Sequence, residues 1–246
     1  MKKKIKLMKI LFLLITTAFL LQACVPFYPA ALLGTRMPSI ISNPKSKYNE
    51  NSYYIGVDAS NSPGFNSNEH NLNLRNHFLI VNSTKYRVEN VGFFVFGGEY
   101  KVGAVHQYEG KYEYYGFGPE VNFALYLSIK FIDIGLGAYC TYAYEAGNFL
   151  KFKKQVVEEE LADAYTGNWF GFLSLFPIIR AHLNEKNVVS ILCGVGFPGF
   201  FSPSISFNNE KISCWLSFIP SINKAYDYSL EIDRYGSFTL GAGYKF

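Results

Sequence analysis

The chain has 246 residues, of which 18% are aromatic and only 17% charged, below the roughly one quarter charged of an average soluble domain. Its formal net charge of +4 comes from the N-terminal stretch: taking the five lysines of residues 1–23 from 23 Lys+Arg leaves 18 against 19 acidic residues, about −1. No basic patch remains for nucleic acid, and the four histidines (His70, His77, His106, His182) and four cysteines match no metal-binding spacing.

Residues 1–23 read as an export signal. Lys2, Lys3, Lys4, Lys6 and Lys9 precede an apolar run from Ile10 to Leu21. That run is shorter than the roughly 20 apolar residues a membrane-spanning helix needs. The stretch Leu21-Gln22-Ala23-Cys24 resembles the lipobox of bacterial lipoproteins, in which the signal is cut before a cysteine that receives lipid. Gln22 departs from the small residue usual in that family. The resemblance implies lipidation at Cys24 by way of the lipoprotein export machinery. Val25, where a retention Asp would otherwise stand, implies the outer membrane. Residues 24–51 hold Pro26, Pro29, Pro38 and Pro44 without periodicity and are expected to form a periplasmic tether to a barrel over 52–246.

From residue 52 onward, alternation of period two dominates, the mark of strands with unlike faces. Tyr53, Ile55, Val57 and Ala59 alternate with Tyr54, Gly56, Asp58 and Ser60. Strands are predicted at 53–60, 76–83, 88–98, 112–128, 131–144, 168–183, 187–197, 211–219, 225–232 and 236–246. The second holds HFLIV, apolar on both phases. Cys140, Cys193 and Cys214 each share a phase with apolar neighbours and read as small hydrophobes. Helical periodicity is nearly absent. The predicted fold class is all-β, with about ten strands and eight as the alternative count.

Loop lengths give an independent sign. If the last strand ends in the periplasm, the connections at 83–88, 128–131, 183–187 and 219–225 share that side, and all are short. Those at 60–76, 98–112, 144–168 and 197–211 fall on the other side, and all are long; only the tight connection near Arg234 breaks the pattern. Short turns on one side and long loops on the other mark transmembrane barrels. The polar phase points the same way. Between Val121 and Tyr144 the only charges are Lys130 and Asp133. A water-facing surface carries about 25–35% charged residues. Small polar residues suit the crowded interior of a closed antiparallel up-and-down transmembrane barrel, with the apolar phase turned to lipid.

On those phases Glu120, Asp133, Arg180, His182, Asp227 and Glu231 face the lumen, where buried charges must be paired. The final stretch YGSFTLGAGYKF alternates to the terminal Phe246. It resembles the C-terminal β-signal of bacterial outer-membrane proteins, which implies that Phe246 and Tyr244 are read by the barrel-assembly machinery. Gly194, Gly196 and Gly199 match a dinucleotide-binding glycine pattern, but Pro198 and Pro203 forbid the helix that the motif requires. The segment 145–168 is the richest in charge. Its lysines precede its glutamates, the wrong order for a helix dipole, so a solvated external loop is expected.

The resulting expectation resembles the small outer-membrane barrels. It is a surface protein without catalysis, metal or cofactor, in contact with outer-membrane lipid and lipopolysaccharide, binding no nucleic acid, and a monomer. Two alternatives stand beside it: a lipid-modifying barrel enzyme, and a lipid-anchored soluble barrel binding an apolar ligand.

Overall fold

The structure, a computed structural model, describes residues 50–63, 69–103, 108–161, 164–197, 200–219 and 237–246. The expected signal, Cys24, all but the last two residues of the expected tether, and the predicted strand at 225–232 with Asp227 and Glu231 lie outside the described residues.

Ten strands are present: β1 (Glu50–Pro63), β2 (His70–Ser83), β3 (Arg87–Val102), β4 (Gly110–Ile129), β5 (Ile132–Gly147), β6 (Trp169–His182), β7 (Val188–Phe197), β8 (Phe200–Asn208), β9 (Ile212–Ile219) and β10 (Ser237–Lys245). One helix, α1 (Asn148–Glu158), follows β5. Every strand pairs antiparallel with its sequence neighbours, and β10 returns to β1, so the sheet is a closed up-and-down barrel. The closing ladder runs from Tyr54 opposite Lys245 to Asn61 opposite Phe238. Beyond it Tyr53 and Phe246 exchange two backbone hydrogen bonds, of 3.0 and 2.9 Å, and their rings stack. Both Phe246 and Tyr244 point outward.

Ten strands are reached by a different route from the one the sequence suggested. The stretch 200–208, expected inside a long loop, is β8. Ser202, Ser204 and Ser206 point inward while Pro203 and Ile205 take the other phase. Pro203 lacks an N–H, and the β8–β9 ladder stops at Ser204 opposite Ser217, one residue short of it. The extra strand moves two connections. Residues 209–211 become a short turn at the end that holds Phe246 and the 84–86, 130–131 and 183–187 turns. β9 ends at Ile219 and β10 starts at Ser237 at the opposite end, where β5 leads into α1. β7 ends at Phe197 and β8 starts at Phe200 at that same end, so not every pair of strands there is far apart in sequence.

The polarity of this barrel is inverted relative to a water-soluble one. Leu72, Leu127 and Leu240 point outward and are 61%, 62% and 65% exposed, while Asp58, Arg75 and Glu120 point inward at 2% each. The outward phase also carries aromatic clusters at both ends. Trp169 stacks on Tyr142 and meets Phe117 and Tyr144 toward the α1 end, and Tyr53 and Phe246 lie at the other.

The interior is filled by side chains rather than left open. Large rings occupy the space beside glycines at neighbouring positions of the wall: Phe176 at Gly137, Phe96 at Gly116, Trp215 at Gly241, and Tyr54 at Gly56 and Gly243. A methyl at Gly137 would overlap the Phe176 ring, whereas one at the outward Gly171 would meet nothing closer than 3.7 Å. Overpacking of that kind costs about 1–3 kcal/mol. Gly137→Val is therefore expected to lower barrel stability by about that amount in urea unfolding from detergent, and Gly171→Val to leave it nearly unchanged. Equal loss in both variants would contradict the packing described.

Candidate functional site: charged clusters inside the barrel

The middle of the lumen holds a cluster built on four strands. Asp58 of β1 stands directly opposite Arg75 of β2, and both point inward. The guanidinium donates to Asp58 Oδ2 through Nε at 3.1 Å and Nη2 at 2.6 Å. Two residues along β2, His77 places Nε2 2.7 Å from the same oxygen and Nδ1 2.5 Å from Glu120 Oε1. Glu120 is on β4, two strands away. Gly92 stands opposite Glu120 on the intervening β3, and a methyl there would strike the β2 backbone at Phe78 and Leu79. Tyr139 of β5 donates to the other oxygen of Glu120 at 3.3 Å. The Phe94 ring lies against both Arg75 and His77, and the Trp215 ring meets the His77 ring nearly at right angles.

A carboxyl group lies against each ring nitrogen of His77. Either the imidazolium donates to two carboxylates, or one protonated carboxyl group donates to the neutral ring. In both arrangements the carboxylate charge that remains balances the cations, and the cluster is neutral overall. That balance is what allows four ionisable groups at under 5% exposure. Asp58 Oδ1, Arg75 Nη1, Asn73 Oδ1, Asn122 Oδ1 and Trp215 Nε1 are buried nearby without a protein partner.

A second cluster sits at the short-turn end. Asp133 of β5 faces Arg180 of β6 across the ladder and accepts from its Nε at 3.1 Å and Nη2 at 2.6 Å. His182 Nε2 lies 2.7 Å from the same Asp133 oxygen. The guanidinium lies 3.4 Å over the Tyr126 ring and reaches the Lys85 carbonyl in the β2–β3 turn. Among the described residues, both inward histidines bond only to carboxylates, and no group of His, Cys, Asp and Glu is arranged to hold a metal ion.

The third cluster covers the opposite end, where the structure departs from a solvated loop. Gly147, at φ +119°, turns the chain from β5 into α1, a conformation and a close approach to Glu113 that a side chain would not permit. α1 has no side-chain N-cap and no acid in its first turn. Packing forms it instead: Phe149, Phe152, Lys153 and Val156, at helical spacing, are all buried. Phe149 stacks on Tyr100 at 4.3 Å and Phe152 packs on Tyr112, both at the barrel rim. Lys153 reaches down to Glu145 of β5 at 2.6 Å, with both side chains fully buried, and passes over the Phe149 ring. Burial pulls the Lys153 ammonium below the ordinary lysine range, with Glu145 opposing that shift. The penalty on its charge therefore eases as pH rises toward the ordinary value of 10.5.

Of the six lumen residues named from sequence, Glu120 belongs to the central cluster. Asp133, Arg180 and His182 form the second, and Asp227 and Glu231 lie outside the described residues. Asp58, Arg75, His77, Tyr139, Glu145 and Lys153 were not singled out. Asp58 was visible on the polar phase of β1, but Arg75 fell in an expected loop. Lys153→Ala strands the Glu145 carboxylate in a dry site, and breaking a buried pair this way costs roughly 3–5 kcal/mol. The double variant Glu145→Leu with Lys153→Met is expected to recover most of that loss in urea unfolding. A Lys153→Ala chain as stable as the parent would show that the pair is not buried.

No protein-family model matches the chain, and no curated protein sequence matches it. Among solved structures, the barrel is similar to the outer membrane protein OprG from Pseudomonas aeruginosa, with 10% identity over 83% of this chain and 99% of that one, at a TM-score of 0.37. It is also similar to the translocator domain of autotransporter NalP from Neisseria meningitidis (9% identity, 82% and 90% coverage, TM-score 0.38). A third is Ail, the attachment invasion locus protein of Yersinia pestis (12% identity, 80% and 99% coverage, TM-score 0.26). Likeness at these scores carries no inference about this chain, whose architecture rests on its own strand pairing.

Proposed function

We propose that this protein is a Gram-negative outer-membrane β-barrel that works without catalysis, through the surface formed by α1 and the long connections or as a component of the envelope. The observation that carries the reading is the inverted polarity of the wall. Isoleucine, leucine, valine and phenylalanine stand exposed along the outer face, while aspartate, glutamate, arginine and histidine are paired inside. In hydrocarbon an unsatisfied backbone group costs several kcal/mol, so only a sheet without edges is tolerated. A soluble barrel binding an apolar ligand would need the reverse arrangement, with an apolar lumen. Rings seated on glycines and salt-bridged clusters fill the interior, which favours a rigid strut over a diffusion pore.

In this reading the short turns and Phe246 lie in the periplasm, near a lipid on Cys24, and α1 faces outward among lipopolysaccharide. The barrel-assembly machinery would read Tyr244 and Phe246. Exposed Lys154 of α1 and exposed Glu185 of the β6–β7 turn test the orientation. Lys154→Cys is expected to react with a membrane-impermeant maleimide on intact cells, and Glu185→Cys only after the outer membrane is opened. Labelling of position 185 on intact cells, or release of the protein into buffer by carbonate washing, would overturn the assignment.

A further inference from the structure

The wall is not sealed equally around the barrel. Prolines interrupt three ladders, because a proline lacks the N–H that a strand gives its neighbour. At Pro119 the β4–β5 ladder passes from Glu120–Thr141 to Phe117–Tyr144, and at Pro177 the β6–β7 ladder passes from Ile178–Leu192 to Leu175–Val195. In both cases the strands pair again beyond the proline. At Pro203 they do not. The β8–β9 ladder ends with Ser204 opposite Ser217, although both strands run on toward the α1 end. Residues 200–203 stay paired with β7, and Phe218 and Ile219 stay paired with β10. Each bank of this seam is therefore held from behind, with no pairing across it.

The two sides of the seam differ in chemistry. Inside, Ser204, Ser217 and Thr239 stand in one row across β8, β9 and β10. Ser202 and Ser237 take the next inward positions of β8 and β10 toward the α1 end. Ser217 donates to Ser204 at 2.9 Å, whereas Ser237 Oγ is buried without a partner among the described residues. Outside, Pro203, Ile205, Leu216 and Phe218 share the apolar phase, and the Phe218 ring packs on Phe238 at 4.8 Å. Backbone groups that lack a partner are costly in hydrocarbon, so the seam gains from a molecule that brings hydrogen-bonding groups of its own.

We infer that the β8–β9 seam is a side portal that holds one amphiphile, its polar end hydrogen-bonded to Ser204, Ser217 and Ser237 and its hydrocarbon chain in the membrane outside. The ligand class follows from the two sides: hydroxyls within, lipid without, and no strand pairing between them beyond Ser204. An oxygen-rich head such as a carboxylate, phosphate or glycerol fits, since serine hydroxyls and free strand N–H groups both donate to such oxygens. With α1 on the outer side, the seam opens to the outer leaflet. The inference rests on the membrane reading above, and it adds a lipid-phase ligand taken through the wall and not along the barrel axis.

The test uses the full chain in phosphatidylethanolamine–phosphatidylglycerol vesicles, with all four native cysteines replaced by alanine. The probe is a maleimide carried on a palmitoyl chain, which stays in the lipid. Ser204→Cys, facing the lumen, is expected to react with it and not with a sulfonated, water-confined maleimide. Asn73→Cys is the control: it faces the lumen from β2, whose ladders to β1 and β3 are unbroken, and is expected to stay unlabelled. Adding Pro203→Val returns an N–H to the seam and should slow labelling of position 204 about tenfold, the effect of one hydrogen bond of about 1.4 kcal/mol. Heat-modifiable gel migration shows that each variant is folded. Position 204 may fail the portal in four ways in inserted barrels: no labelling, labelling no faster than position 73, equal reaction with the water-confined probe, or an unchanged rate with Pro203→Val. Any of these would overturn the portal and leave the membrane reading intact. Failure of the parent chain to insert would overturn both.

Discussion

The ladder between β1 and β10 is the constraint from which the rest follows. A sheet surrounded by apolar medium has no water to satisfy the N–H and C=O groups of an edge strand, and each such group left open costs several kcal/mol. Pairing Tyr54–Asn61 with Phe238–Lys245 removes the last edge. Once the sheet is closed, every side chain must point either into a confined space or out of it. The alternation of residue types along each strand then decides which surroundings the protein can inhabit.

Confinement explains the composition of the inner face. Ten strands enclose too little room for two large side chains to meet across every level, so rings are matched with glycines on adjoining strands, as Trp215 is with Gly241 and Phe176 with Gly137. Charges are admitted only in neutralised groups. The two ends are treated differently: Arg180 over Tyr126 fills the short-turn end, while the opposite mouth is covered by a helix whose buried lysine is held by Glu145.

Much of this architecture was legible in the sequence, because strands such as β1, β4, β5 and β10 place unlike residues on their two faces. Legibility failed where residue chemistry imitates a loop. The start of β2 reads Asn71-Leu72-Asn73-Leu74-Arg75, and asparagine is a common turn former, so its composition imitates a loop although it alternates as a strand. With 60–76 read as a connection, Arg75 stays out of sight and Glu120 alone marks the central cluster. β8 was lost because serines on the inner phase and Pro203 on the outer one look like a solvated connection. α1 forms against the dipole argument because that argument weighs exposed helices, while this one is formed by burial of Phe149 and Phe152 against the rim.

The location of the ion pairs has a consequence for how such a barrel could enter a bilayer. Asp58 and Arg75 belong to the hairpin of β1 and β2, and Asp133 and Arg180 to the adjacent strands β5 and β6. Each pair can therefore neutralise itself as soon as two consecutive strands have met, long before the cylinder is complete. Glu120 alone lies two strands from its partner, so β2, β3 and β4 must all be paired before His77 is within reach. A growing, still open sheet would thus carry little bare charge into apolar surroundings, whichever end it grows from.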